Sequence, residues 1–214
     1  MREATSLGLG NFKPPKIEHW RALGSLVARS ALPRLEELSV ASERSEPGLA
    51  LLSAGLRGGG SLPSLTALRI NHAHFGPEGA TALAAALTKR ALPRLRILNL
   101  SDNPLGDAGM AALAPALPQL PELAALFLNQ IGLGDGGLAA LLAEEDGATS
   151  ALKSFGVVHL AYNQITDEGC AALVTALGGG ALAAVSELWL EGNPASKEAR
   201  ATVMEVLRES TYCA

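Results

Sequence analysis

Gly132, Gly134 and Gly137 spell G-x-G-x-x-G within FLNQIGLGDGGLAALL, residues 127 to 142, between a strand-like apolar run and a helix-like one. In a βαβ unit such glycines make a tight turn and bring the backbone to a pyrophosphate at a helix N-terminus. Dinucleotide binding also wants an acidic residue about 20 positions on, after a second strand. Glu144, Glu145 and Asp146 lie too early for that, in a helix-to-strand connection. His19, His72, His74 and His159 lack the H-E-x-x-H spacing, and Cys170 and Cys213 stand too far apart to complete a zinc motif. Cys170, in GCAALVTAL, has the spacing of a buried helix face and reads as packing, with a reactive thiol as the lesser reading. Cys213 is not fourth from the end, as prenylation requires. The GGG stretches at 58 to 60 and 178 to 180 lack the G-K-[ST] of a phosphate loop and read as turns. No catalytic residue, metal or cofactor is expected, and the chain does not read as an enzyme.

Of 214 residues, 48% are apolar and 18% charged, enough to bury a sizeable core. The net charge of −4 disfavours nucleic acid, which is bound mainly by basic groups on phosphates. No uninterrupted apolar run has the roughly 18 residues of a membrane span, and the N-terminus lacks the apolar core of a secretory signal. These features predict a cytoplasmic protein with neither a membrane nor a nucleic-acid partner.

The glycine motif belongs to a repeat. LPRLRILNLSDNPLGDAGMAAL, from Leu92, aligns with LKSFGVVHLAYNQITDEGCAAL, from Leu152, matching Leu98 to Val158, Leu100 to Leu160, Asn103 to Asn163 and Gly109 to Gly169. The frame recurs from residues 32, 62, 92, 120, 152 and 182, giving six units 28 to 32 residues apart. In each, alternation such as Leu98 and Leu100 gives way to helical spacing such as Met110, Leu113 and Leu117, so each unit predicts one strand and then one helix. Gly134, Asp135 and Gly137 align with Gly106, Asp107 and Gly109, so the glycines serve a recurring strand-to-helix corner. Such units bury their apolar faces only by stacking. Strands about 4.8 Å apart beside helices that need roughly 8 to 10 Å place the sheet inside an arc.

The pattern L-x-x-L-x-x-L-x-L-x-x-N, followed by G-D-x-G and a helix, resembles the leucine-rich repeats of the ribonuclease-inhibitor type over about residues 16 to 208. The resemblance implies an α/β curved solenoid, a horseshoe segment with a parallel concave sheet and convex helices. It also implies an asparagine that ties down the turn after each strand. Glu43, Ala73 and Ile131 replace that asparagine, so three turns need another means of satisfying their backbone.

The expected domain spans 16–208, between a flexible tail over 1–15 and a short tail over 209–214. A cap helix over 16–29, carrying Trp20, Leu23 and Val27, stands as a first unit without a strand, and a second cap helix covers 196–208. Acidic residues (Glu78, Asp107, Asp135, Asp167, Glu168) mark helix starts, which dipole compensation explains. Lys89, Arg90, Arg94 and Arg96 form a basic ridge that is a secondary candidate contact.

Between the buried leucines, the outward strand positions form rows. The middle row is Ser39, Arg69, Asn99, Phe127, His159 and Trp189; the next is Ala41, Asn71, Ser101, Asn129, Ala161 and Glu191; the loop-start row is Ser42, His72, Asp102, Gln130, Tyr162 and Gly192. Aromatic residues on a sheet either pack across strands or anchor a partner. The candidate protein-binding site is therefore Phe127, His159, Tyr162 and Trp189, with Arg69, Asn99 and Asp102 in support. A binding scaffold with a protein partner is the expected function. The alternatives are a GTPase activator of the Ran type and a rigid spacer fragment of a larger receptor.

Overall fold

The computed structural model describes residues 5–9, 16–40, 46–88, 90–143 and 154–212. Strands β1 (Ser6–Leu9), β2 (Glu37–Val40), β3 (Ala67–Ile70), β4 (Ile97–Asn99), β5 (Ala125–Phe127), β6 (Val157–His159) and β7 (Glu187–Trp189) make one parallel sheet in sequence order. Between and after them run α1 (Ile17–Ala28), α2 (Glu46–Arg57), α3 (Pro77–Ala84), α4 (Gly106–Leu113), α5 (Asp135–Leu142), α6 (Asp167–Gly178) and α7 (Lys197–Tyr212). Each helix packs on the next, and each strand pairs with the next. Pro115 and Pro118 lack the N–H that an α-helix needs, and after α4 the chain tightens into a 3₁₀ turn, Ala114–Gln119.

The core is the layer between sheet and helices. Leu38, Leu68, Leu98, Leu126, Val158 and Leu188 pair in register and are all buried. Helix residues such as Leu83, Leu113, Leu141 and Leu173 close the layer from the other side. Glycine opens the corners: a Cβ on Gly137 would stand 2.6 Å from Leu133 Cδ1 and 2.9 Å from the Asp107 Cα, inside contact distance.

The turns that lack their own asparagine borrow one. Asn103 Oδ1 accepts the Ala73 N–H of the preceding unit at 2.9 Å, while its Nδ2 donates to Ile70 O at 2.6 Å and to Leu100 O at 2.8 Å. Asn163 likewise accepts from the Ile131 and Leu133 N–H groups and donates to Leu128 O, Leu160 O and Ala161 O. Asn193 accepts from Ile165 N–H and donates to Leu160 O and Leu190 O. Each amide therefore satisfies its own turn and the preceding one, which is how Ala73 and Ile131 are accommodated. Glu43 lies outside the described residues.

The N-terminal expectation is corrected. Residues 6–9 are not loose tail: they form β1 parallel to β2, with Leu7 against Leu38 and Leu9 against Val40, so the first unit has its own strand. Leu7 and Leu9 pack on the core that α1 would otherwise leave open. At the other end α7 runs to Tyr212 instead of stopping at 208, with Val203 and Leu207 buried.

Replacing Asn163 by alanine strips partners from two turns at once, and unsatisfied buried groups cost roughly 1 to 3 kcal/mol each. Asn163→Ala is expected to lower the unfolding free energy in urea by about 3 kcal/mol; a loss below about 1 kcal/mol would show that the turns hold themselves. Cys170 is buried, and that burial, reinforced by Asp167, raises its thiol pKa. Its folded form thus keeps the proton where the unfolded thiol gives it up, and stability falls as pH rises through the unfolded thiol's range. A Cys213→Ser variant is expected to resist a disulfide reagent at pH 8 until denatured; rapid modification of the native protein would contradict this burial.

Candidate protein-binding face

Parallel pairing turns positions from separate units into straight rows. Ser39, Arg69, Asn99, Phe127, His159 and Trp189 are successive register partners, as the sequence predicts. Strand spacing of about 4.8 Å brings their rings into contact. Phe127 meets His159 edge-on, with ring centroids 4.6 Å apart and planes at 72°. His159 stacks on Trp189 at 4.7 Å and 19°. The His159 side chain, 13% exposed between its neighbours, places Nε2 at 3.0 Å from Glu187 Oε1. Trp189, at the end of the row, remains 48% exposed.

Tyr162 lies in the loop-start row rather than the ring stack, and it is 64% exposed. His72, Asp102, Gln130, Tyr162 and Gly192 in this row all have positive φ, a left-handed corner repeated in the units of β3 to β7. At Gly192, with φ of 73°, a Cβ would fall on the Tyr162 ring, so glycine lets that ring lie over the next turn.

The polar candidates are engaged within the sheet. Arg69 pairs with Glu37 at 3.3 Å, Asp102 with His72 at 3.4 Å, and Asn99 Oδ1 accepts the Ser101 N–H at 2.9 Å. Of these only Asn99 adjoins the aromatic row, as the register partner of Phe127. Ser101 and Ala161, read as outward, are buried: the chain is already turning there, and Ser101 Oγ accepts the Asn129 N–H. Arg90, Arg94 and Arg96 are exposed; Lys89, Ala41 and Ser42 lie outside the described residues. The sequence reading missed the row two residues before the middle one, Glu37, Ala67, Ile97, Ala125, Val157 and Glu187. It presents an apolar strip closed by a carboxylate at each end. Period-two counting back from Trp189 would have found it.

The G-x-G-x-x-G corner already holds an anion of its own. The Gly134 N–H at the N-cap of α5 donates to Asp107 Oδ1 at 2.6 Å. Asp135 accepts from the Thr166 N–H and hydroxyl at the start of α6, and Asp167 accepts from Ser196 N–H before α7. Each aspartate opens its own helix and reaches the start of the next, where the helix dipole favours negative charge. These carboxylates occupy the place that a phosphate would need. Among the described residues, no group of three or more His, Cys, Asp or Glu side chains could hold a metal ion, and no helix is long and apolar enough to cross a membrane.

A family model described as Leucine Rich repeat matches residues 61–84, 92–114 and 157–174, which fall on the units of β3, β4 and β6. No curated protein sequence matches the chain. Among solved structures, leiomodin-1 actin-binding site 2 is similar with a TM-score of 0.52 at 17% identity, covering 92% of this chain and 91% of that one. A Bacteroides fragilis protein gives 0.46 at 12% identity, over 82% of this chain and 40% of its own. TLR13 in complex with ssRNA13 gives 0.45 at 20%, over 89% and 26%. At 17% identity the likeness to the leiomodin-1 site bears on fold and not on ligand. Strands in sequence order, units each of one strand and one helix, and the matched repeats make this chain an α/β leucine-rich-repeat solenoid.

Proposed function

We propose that the chain is a protein-binding module of the ribonuclease-inhibitor type, and that it takes its partner on the concave sheet at the C-terminal end. The observation that carries this reading is the continuous ring row Phe127, His159 and Trp189, with Trp189 half exposed and Tyr162, over Gly192 on the same face, more so. Cross-strand packing accounts for Phe127 and His159, which cover one another. It does not account for Trp189 and Tyr162, whose open surfaces have the character of binding anchors. The apolar strip of Ile97, Ala125 and Val157 lies on the same face and would be covered by the same partner. Units of 28 to 32 residues, each with a strand and a full helical turn or more, support the subtype.

The test is capture of partners from a lysate on the immobilised protein, beside a Phe127→Ala, Tyr162→Ala, Trp189→Ala variant whose circular dichroism and melting show it folded. The expected outcome is selective loss of at least one partner from the aromatic variant and none from Arg90→Ala, Arg94→Ala, Arg96→Ala. Retention of every partner by the aromatic variant, with loss from the arginine variant, would move the site to the basic ridge.

A further inference from the structure

The strand-to-helix corners hold their own anions, Asp107, Asp135 and Asp167, on the backbone N–H groups of the next helix start. The helix-to-strand connections of the early units hold cations instead, and these are unspent. Among the described residues, Arg57, Arg90, Arg94 and Arg96 are exposed and none has an ion-pair partner, whereas Arg69 on the concave face is paired with Glu37. Arg57 ends α2, where dipole compensation explains it. Arg90, Arg94 and Arg96 stand past the end of α3 at Ala84, beyond the last turn in which that effect acts. In the following unit Glu122 takes the place of Arg94, so the positive stretch ends there.

Arg57 and Arg90 line one cleft. Helix α2 has 12 residues and α3 only 8, so the last turn of α2 looks across a gap that the tight turns after α3 fill in part. The cleft measures about 160 Å³ and is lined by Arg57 from one unit and by Thr88 and Arg90 from the next, with Leu56, Gly60 and Ala86 buried at its base. Gly58, Gly59 and Gly60 give room there and no donors, since their N–H groups go to Ala54 O, Leu56 O and Gly55 O. Those bonds close the end of α2 without Arg57, whose guanidinium is left free. Thr88 Oγ1 accepts the Ala91 N–H at 3.2 Å, which fixes the oxygen and leaves its proton to donate. Ser53 stands one turn before Arg57, on the side of α2 away from Gly48, Leu51 and Gly55, which face α1. It is buried with its Oγ unpaired among the described residues, a polar group behind the cleft that still lacks a partner.

We infer that this cleft binds a soluble small molecule that carries adjacent phosphate groups. One phosphate lies between the Arg57 and Arg90 guanidinium groups and accepts from the Thr88 hydroxyl. Arg94 and Arg96, further along the same connection, raise the local potential for a second. A guanidinium is always charged and presents paired N–H donors that match phosphate oxygens, which a lone carboxylate on the ligand uses less fully. In a chain of net charge −4, such binding comes from the local arrangement and not from overall charge. The size of the cleft suits a small molecule. This inference goes beyond the concave-face reading and does not rest on it, because the cleft lies between the ends of α2 and α3 and shares no residue with the aromatic row.

The probe is pyrophosphate, titrated into the full chain by calorimetry and followed on the arginine Nε–Hε resonances. Pyrophosphate is expected to bind about tenfold more tightly than citrate, which carries its charge on carboxylates. It should shift the Arg57 and Arg90 resonances and leave that of Arg21, exposed on α1, in place. Arg57→Gln and Arg90→Gln, each shown folded by circular dichroism, are expected to weaken binding about tenfold each, and Arg21→Gln to leave it unchanged. Equal affinity for pyrophosphate and citrate, equal shifts at all exposed arginines, or unchanged affinity in both cleft variants would overturn the inference. No pyrophosphate binding would also overturn it, and vesicles containing phosphatidylserine that bind through Arg57 and Arg90 would then assign this edge to a membrane surface. The Phe127→Ala, Tyr162→Ala, Trp189→Ala variant is expected to bind pyrophosphate as the unaltered chain does. Its failure to lose lysate partners would therefore count against the concave face alone, and a failure of the arginine variants to lose pyrophosphate against the cleft alone.

Discussion

A buried asparagine that serves two turns at once is the interaction on which this solenoid depends. Asn103, Asn163 and Asn193 each bond the backbone of their own unit and that of the unit before. Four residues beyond the asparagine position, at the helix starts, Asp107, Asp135 and Asp167 do the corresponding work, each carboxylate reaching one unit forward. Among the described residues, the units from 62 onward are therefore satisfied through their neighbours. Stability is shared between neighbours, as expected of a chain whose units contact only those on either side. Forward and backward hydrogen bonds in the same strand-to-helix corner also fix how far one unit is displaced from the next.

That fixed displacement gives the concave face its character. Once strands pair residue for residue, the side chain chosen at one offset in each unit becomes a line across the sheet. Phe127, His159 and Trp189 are 32 and 30 residues apart in sequence, yet their rings touch in order. The arrangement needs no enclosed pocket. It produces a graded surface, with Glu37 of β2 and Arg69 of β3 paired in one half and an indole between carboxylates on β7. Differences between units set the chemistry, while what the units share sets the frame.

Much of this was legible in the sequence because its signals are local and repeated. The leucine frame located β2 to β7 and the order of the middle row, since alternation fixes which side chains share a face. The first strand escaped because SLGL lacks the L-x-x-L lead that marks the later units, so Leu7 and Leu9 carried too short a signal. Side-chain engagement was also hidden. Asn99 looks available in sequence, yet its amide closes the turn to Ser101, and Ser101 and Ala161 go under as the chain bends. The aspartates read correctly as helix-start charges, but their bridging role depends on a unit 27 to 31 residues away. Dipole compensation within one helix gives no hint of it.

The central claim is that inter-unit register builds a contiguous aromatic row, and nuclear Overhauser spectroscopy of ring protons addresses it directly. With selectively labelled aromatic residues, the account predicts cross-peaks between Phe127 and His159 and between His159 and Trp189, with the His159 ring as the only link between the outer two. Absence of both contacts, with the rings separately solvated in a protein whose Trp20 remains buried, would contradict it. The sheet would then not hold its units in the register from which the concave face is built.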